Sequence, residues 1–324
     1  MSNRPTRRDF LAATTAAGLG LLGAGRSPAA EFKTTLHKSL IGEPKEETLA
    51  AWKAAGFEGM EISGRGWNVT PDEAAAGRKT AERLGMRIHS VLRGWTNFNS
   101  PDEAKVAEDL ASVETALRAA QAFGADAVLL VPCRIGGMTI PEAHEFQIEF
   151  DEKTGHVKRV VAGGNAAYGE YIDAHNHATD TSRKAVEKLI PAAEKAGVVI
   201  ALENVWNNLW VKPDLFCNFV ASFGSPWVQA YYDIGNHVKY ALPEEWIRAL
   251  GKLIVKVHVK DFTPDREKPR GGEFKNIREG GVNWPAVRNE LDRIGYNGWM
   301  TIEGSGSLSL EELSKRLDLI IAGK

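Results

Sequence analysis

Cysteine is nearly absent from the 324-residue chain: Cys133 and Cys217 stand far apart and outside any Cys-x-x-Cys pattern. They cannot build a disulfide framework or a thiolate zinc site, and both are expected to be packed thiols. An excess of basic charge is lacking too. Lys and Arg number 40 against 42 Asp and Glu, a formal net charge of -2, which speaks against nucleic acid or an anionic membrane as partner. No apolar run is long enough for a stable membrane span, so no stable membrane anchor is expected. No Gly-x-Gly-x-x-Gly follows the first strand-like segment, which disfavours a doubly wound dinucleotide-binding sheet. What is present is 43% hydrophobic residues, enough to bury the core of one large α/β domain or two small ones.

The first thirty residues, MSNRPTRRDFLAATTAAGLGLLGAGRSPAA, have a basic start, a run of small apolar residues and a Ser-Pro-Ala-Ala end. This reads as a signal peptide cleaved after Ala29 or Ala30, and Arg7-Arg8-Asp9-Phe10-Leu11 matches the twin-arginine type. Export to the periplasm or the medium is therefore expected, with residues 31–324 as the mature domain. The segment carries four Arg and one Asp, so removing its net +3 from -2 leaves -5. No Cys lies near the cleavage point to take a lipid.

From residue 31 one pattern recurs: an apolar stretch of strand length, then a helical stretch rich in Ala, Leu, Glu and Lys. Strands are expected at 35–41, 57–63, 86–92, 125–132, 198–206, 228–238, 253–262 and 298–304. The helices between them are expected at 45–56, 70–85, 100–124, 181–197, 213–224, 243–251, 284–295 and 309–322. Thr70 caps the second helix with Pro71 at its first position, and Ser-Pro-Asp-Glu at 100–103 repeats the pattern of Thr-Pro-Asp-Glu at 70–73. The rhythm breaks once, at 134–176, where alternating residues flank Glu152-Lys153-Thr154-Gly155 and predict a β-hairpin insertion too small to hold a core of its own. Eight strand–helix units predict a (β/α)8 TIM barrel with a hairpin insertion after strand four.

In such barrels the chemistry gathers at the C-terminal ends of the strands. Strand five ends in Glu203, strand six in Asp233, strand seven carries His258 and strand eight ends in Glu303, each closing an apolar run (VVIALE, VQAYYD, IVKVH, WMTIE). A lone buried carboxylate is costly unless it is paired or bound to metal. Three carboxylates and one imidazole converging on one mouth suit a divalent metal of oxygen preference, with Mn²⁺, Mg²⁺, Co²⁺ and Zn²⁺ all compatible.

The segments ALEN, YYDIGN, VKVHVKDF, REGGVNWPAV and GYNGWMTIEG together make the chain resemble the xylose isomerase-like TIM barrels over residues 35–322. That family includes sugar epimerases of the tagatose 3-epimerase type and hydroxypyruvate isomerases. The resemblance implies that Glu203, Asp233, His258 and Glu303 bind one metal, usually Mn²⁺, and that Glu203 and Glu303 exchange protons with a small carbohydrate substrate. Removing a proton beside a carbonyl leaves an enediolate charge that a metal can stabilise, and a carboxylate on each face can take the proton and return it. The sequence departs from the family pattern in three places. Arg278-Glu279-Gly280-Gly281 stands where Gly-Glu-Gly is frequent. The hairpin insertion is an addition. Asn236, followed by His237, stands where the tagatose-epimerase type has a substrate-touching histidine.

Further substrate-binding candidates follow from position. Lys260, two residues past His258, shares its face of the strand and either holds a substrate oxygen or pairs with Glu303 or Asp233. Val255, Val257 and Val259 are expected to face the helices, and Lys256 to form an ion pair deeper in the barrel. Asp261 points the other way and is expected to cap the next turn. Asn236, His237, His89, Trp95, Trp206 and Glu61 complete the set; His89 at the end of strand three and Glu61 near the end of strand two either bind substrate or are satisfied core residues, and the tryptophans are loop residues that pack a sugar ring or the loop core. His175 and His177 fall near the insertion, where the spacing alone makes a second metal a weak reading against surface histidines.

The expected activity is isomerisation or epimerisation of a sugar or small keto-sugar. A metal-dependent lyase or hydratase on keto-glycosides shares the enolisation chemistry. A non-catalytic sugar-binding barrel leaves the Glu203–Glu303 pair without purpose, and a phosphodiesterase of this superfamily needs more histidines than are present. Assembly into a homo-oligomer is left open.

Overall fold

The eight apolar segments pair side by side because each is too buried to leave its backbone groups unpaired. The computed structural model describes residues 32–324; the expected signal peptide lies outside the described residues. The strands are β1 (Leu36–Gly42), β2 (Gly59–Ile62), β3 (Arg87–Trp95), β4 (Ala127–Val131), β5 (Val199–Glu203), β6 (Val228–Asp233), β7 (Ile254–Val259) and β8 (Gly298–Ile302). They close in the order β1-β8-β7-β6-β5-β4-β3-β2, and every pairing round the ring is parallel.

The helices between them are α1 (Glu46–Ala54), α2 (Pro71–Arg83), α3 (Glu103–Phe123), α4 (Gly169–Ala196), α5 (Pro213–Ala221), α6 (Pro243–Leu250), α7 (Trp284–Arg293) and α8 (Leu310–Ile321). The start of α2 follows from its residues: Thr70 and Glu73 form a reciprocal capping box ahead of Pro71. The similar Ser-Pro-Asp-Glu before α3 behaves differently. Asp102 is the cap, accepting from the amides of Ala104 and Lys105, so α3 begins three residues later than expected. Gly124, left-handed at φ 74°, stops it.

One helix start, one strand end and one strand register correct the sequence reading. The α4 helix begins at Gly169 rather than 181, because its polar first turns are amphipathic: Tyr171, His175, Ala178, Thr179 and Ser182 turn inward. The insertion therefore ends near residue 168. It contains a short antiparallel pair, Glu149–Phe150 with Val157–Arg159. The β7 segment stops at Val259, and Asp261–Pro264 opens a second hairpin with Gly272–Lys275 where a plain loop is expected. The β6–β7 register jumps from Ala230↔Ile254 to Tyr231↔Lys256, skipping Val255. Val255 thus packs with the barrel-interior residues Ala127, Leu129, Val131, Ala201 and Tyr231 instead of facing the helices. Lys256 is buried and pairs with Asp126 at 2.5 Å, at the end of the barrel where the strands begin.

Among the described residues no helix is long and apolar enough to cross a membrane. Both cysteines are free; burial pushes the Cys133 thiol up to about 12, and its sulfur lies 3.2 Å from Ser182 Oγ.

Candidate metal centre

Strand ends place the four ligands. Glu203 and Asp233 are the last residues of β5 and β6, His258 is the fifth residue of β7, and Glu303 follows β8 directly. In register, Glu203 lies beside Tyr231, and His258 lies between Asp233 and Thr301. One donor atom from each of Glu203, Asp233, His258 and Glu303 falls within 4.8 Å of all the others. His258 Nδ1 is 2.8 Å from Glu303 Oε2, 3.3 Å from Glu203 Oε1 and 3.9 Å from Asp233 Oδ2.

Asp233 is aimed by its own backbone turn and by Asn204. Its Oδ1 accepts from the amides of Gly235 and Asn236 at 2.9 and 2.6 Å. Asn204 clamps the ends of β5 and β6 together, donating to Asp233 O and accepting from Asp233 N. This leaves Asp233 Oδ2 fully buried with no hydrogen-bond donor among the described residues. The Lys260 ammonium lies 3.3 Å from it, nearer than His258 Nδ1, while reaching Glu303 Oε2 at 2.9 Å and Asn236 Oδ1 at 3.2 Å. A buried, unbonded carboxylate oxygen beside two more carboxylates and a ring nitrogen is a donor set that fits a hard divalent cation.

The proton affinities are uneven. Burial and the charge of Glu303 raise the Glu203 carboxyl to about 7, against the pull of His258. Burial also raises Asp233. Glu303 is only partly buried, and the charges of His258 and Lys260 outweigh that burial and hold it below the usual carboxylate range. For His258, burial alone would lower the affinity, but Glu61 and Glu303 raise it well above the ordinary value. Lys260 is likewise raised by Asp233 and Glu303 in spite of burial.

The remaining candidates separate by place. Asn236 and Lys260 stand at the cluster; Asn236 Nδ2 donates to Asn204 O at 3.1 Å. Trp206 lies at the mouth. Its indole donates to Asn236 O. Phe274 packs on its ring and the Lys239 ammonium lies 3.8 Å from the ring centre. Trp95, 40% exposed, ends β3 under the Arg134 guanidinium.

Three candidates stand away from the mouth. Glu61 does not face the mouth: it is wholly buried beneath His258, 3.2 Å from Nε2. His89 does not end β3, which runs on to Trp95. It sits in the barrel interior, bonded to Ser39 and Thr301 and stacked on Trp299. His237 turns away from the cluster, bonds Val205 O and packs on Trp246. His175 is not at the surface either; it is buried in α4 and accepts from the Trp210 amide at 3.2 Å, whereas His177 is exposed. Asp261 holds more than a turn: it accepts from Arg278 N, Val282 N and Trp284 Nε1, tying down the Gly-rich loop.

Two residues escaped the sequence reading, Asn204 and Tyr231. Tyr231 had a signal, since it lies two residues before Asp233 and so on the same face of β6.

A family model described as xylose isomerase-like TIM barrel matches residues 49–318. L-ribulose-5-phosphate 3-epimerase of Escherichia coli O1:K1 is 29% identical over 160 residues, 48% of this chain and 52% of that one. The chain thus spans about half the length of the curated relatives it matches. Among solved structures, 3-keto-D-glucoside 4-epimerase from E. coli superposes with a TM-score of 0.64 at 14% identity, covering 88% of this chain and 99% of that one. A xylose isomerase-like TIM barrel protein from Mycobacterium smegmatis in complex with magnesium gives a TM-score of 0.58 at 18% identity, covering 86% and 87%. These structural likenesses establish the fold.

Proposed function

The chain belongs to the xylose isomerase-like TIM barrel family, and on that premise we propose that it is a metal-dependent isomerase or epimerase of a sugar or small keto-sugar. The observation that carries this reading is the glutamate pair: Glu203 and Glu303 flank one imidazole nitrogen with proton affinities pushed apart. A binding barrel has no use for such a pair, whereas enolisation needs a base and an acid together. A divalent metal, Mn²⁺ in this reading, supplies polarisation of the substrate carbonyl and stabilises the enediolate charge when bound. Glu203, Asp233, His258 and Glu303 would hold it.

In this reading Glu303, kept ionised, removes the proton from the carbon beside the carbonyl. Glu203, which holds a proton near neutrality, returns one to the other face. Lys260 orients a substrate oxygen beside Glu303, and Trp206 walls the mouth. The test is incubation with free ketoses and 3-keto-glycosides in D₂O with Mn²⁺: deuterium should enter the carbon beside the carbonyl, and its absence from every sugar would reject the reading.

A second reading is favoured by the likeness to 3-keto-D-glucoside 4-epimerase from E. coli. The same enolisation on a 3-keto-glycoside would end in expulsion of the β-substituent, a lyase reaction. Release of the substituent, followed by chromatography, separates it from epimerisation.

The first thirty residues support export by the twin-arginine route to the periplasm or medium. Retention of an Arg7→Lys, Arg8→Lys variant in the cytoplasm, with wild type outside it, is the expected fractionation result.

A further inference from the structure

Glu61 stands behind the ligand set with no use in the proton transfer above. It comes from β2 and reaches through the barrel interior to β7, 197 positions away in sequence. The β2–β3 register skips His89, so the extra residue lies on β3, while β2 runs regularly along β1 through Glu61. Glu61, Tyr231 and His258 are all fully buried. Glu61 Oε2 lies 3.2 Å from His258 Nε2, and Tyr231 Oη donates to the same oxygen. The Tyr231 ring also packs on the imidazole, with centroids 4.4 Å apart.

An imidazole can offer a lone pair at one nitrogen only if the other carries the proton. His258 Nδ1 is the nitrogen that faces Glu203, Asp233 and Glu303. We propose that Glu61 is a positioning residue of the metal centre: it accepts the Nε2 proton of His258, turns the Nδ1 lone pair toward the three carboxylates, and is itself held by Tyr231. This inference rests on the reading that the cluster takes a divalent cation. A carboxylate behind a ligating histidine fixes the ring and makes it a better donor, and losing such a partner weakens metal binding about 10–100-fold.

The test is Mn²⁺ affinity of the folded protein by calorimetry, for wild type, Glu61→Gln and Tyr231→Phe, with circular dichroism and melting temperature recorded for each. Glu61→Gln keeps the shape and loses the anionic acceptor; Tyr231→Phe keeps Glu61 and loses only its anchor. Both are expected to bind Mn²⁺ more weakly, Glu61→Gln by about 10–100-fold and Tyr231→Phe by less. In the Zn²⁺-loaded, diamagnetic wild type, long-range proton–nitrogen spectra should show the His258 proton on Nε2. A folded Glu61→Gln protein with unchanged Mn²⁺ affinity overturns the assignment alone, as does a His258 proton on Nδ1. A wild type that binds no divalent cation overturns the functional reading as well.

Discussion

Glu203 and Glu303 approach the same atom, His258 Nδ1, at 3.3 and 2.8 Å, yet one holds its proton to about 7 and the other gives it up below the usual carboxylate range. Burial raises Glu203, whereas Glu303 is held down by the charge of His258 and then by that of Lys260. The Lys260 ammonium lies 2.9 Å from Glu303 Oε2 and forms no ion pair within 4 Å of Glu203. Two like side chains thereby acquire different tasks.

Replacing each glutamate separately should expose that division. Glu303→Gln removes the base, so both deuterium exchange and net turnover should fall, by about 10²–10⁴-fold. Glu203→Gln removes the proton donor of the other face. It should suppress formation of the inverted product while retaining measurable exchange into recovered substrate. Loss of both in equal measure in Glu203→Gln would refute the directional assignment.

Gly235 sits between Asp233 and Asn236, where a Cβ would lie 2.5 Å from Lys260 Cβ and 3.0 Å from Lys260 O. Gly235→Ala should push the end of β7 away, costing about 1–3 kcal/mol in stability and lowering turnover at least tenfold. Gly136→Ala, where a Cβ meets nothing within 4 Å, is the control and should leave both unchanged. Chemical denaturation and initial rates read the two effects.

The raised affinity of Glu203 sets the pH dependence of metal binding. A proton on one Glu203 oxygen makes the carboxyl a weaker ligand, so protons compete with the cation there. Mn²⁺ affinity should therefore fall as pH drops through about 7, by up to tenfold per pH unit for one displaced proton. Calorimetry at pH 8, 7 and 6 measures the slope; an affinity flat across that range contradicts the assignment.

Acid should destabilise the fold through two histidines outside the centre. His175 and His237 are buried, and burial lowers each to about 3, against about 6.5 in the unfolded chain. Between these values the unfolded state takes up protons that the folded state refuses. Stability is thus whole above pH 6.5 and is lost as pH falls toward 3, by about 1.4 kcal/mol per pH unit for each histidine. Denaturant unfolding at pH 7 and pH 5 should differ by about 2 kcal/mol per histidine, and His237→Gln should reduce the slope.

The barrel and its four candidate ligands were legible because each leaves a local mark. Glu203, Asp233 and Glu303 each end an apolar run, and strand periodicity carries a reader from there to His258 and Lys260. Residues placed by register were hidden. One shift skips His89 in the β2–β3 register, and Glu61, which looks like a mouth residue by its position in β2, reaches across the barrel to lie under His258. Val255 breaks its strand's alternation through a second shift. His89 was misplaced because Arg93-Gly94-Trp95 continues β3 past the expected end. The start of α4 was hidden by polar residues, whose inward face shows only against the neighbouring Trp210. The expected signal peptide lies outside the described residues and rests on its sequence alone.

The central claim is metal-dependent enolisation by the Glu203–Glu303 pair. The most direct measurement is deuterium incorporation from D₂O into a panel of free ketoses and 3-keto-glycosides, with Mn²⁺ and after chelation. The account predicts incorporation at the carbon beside the carbonyl of at least one sugar, lost on chelation, restored by Mn²⁺ and absent in Glu303→Gln. Incorporation that survives both chelation and Glu303→Gln, or none in any sugar, would contradict it.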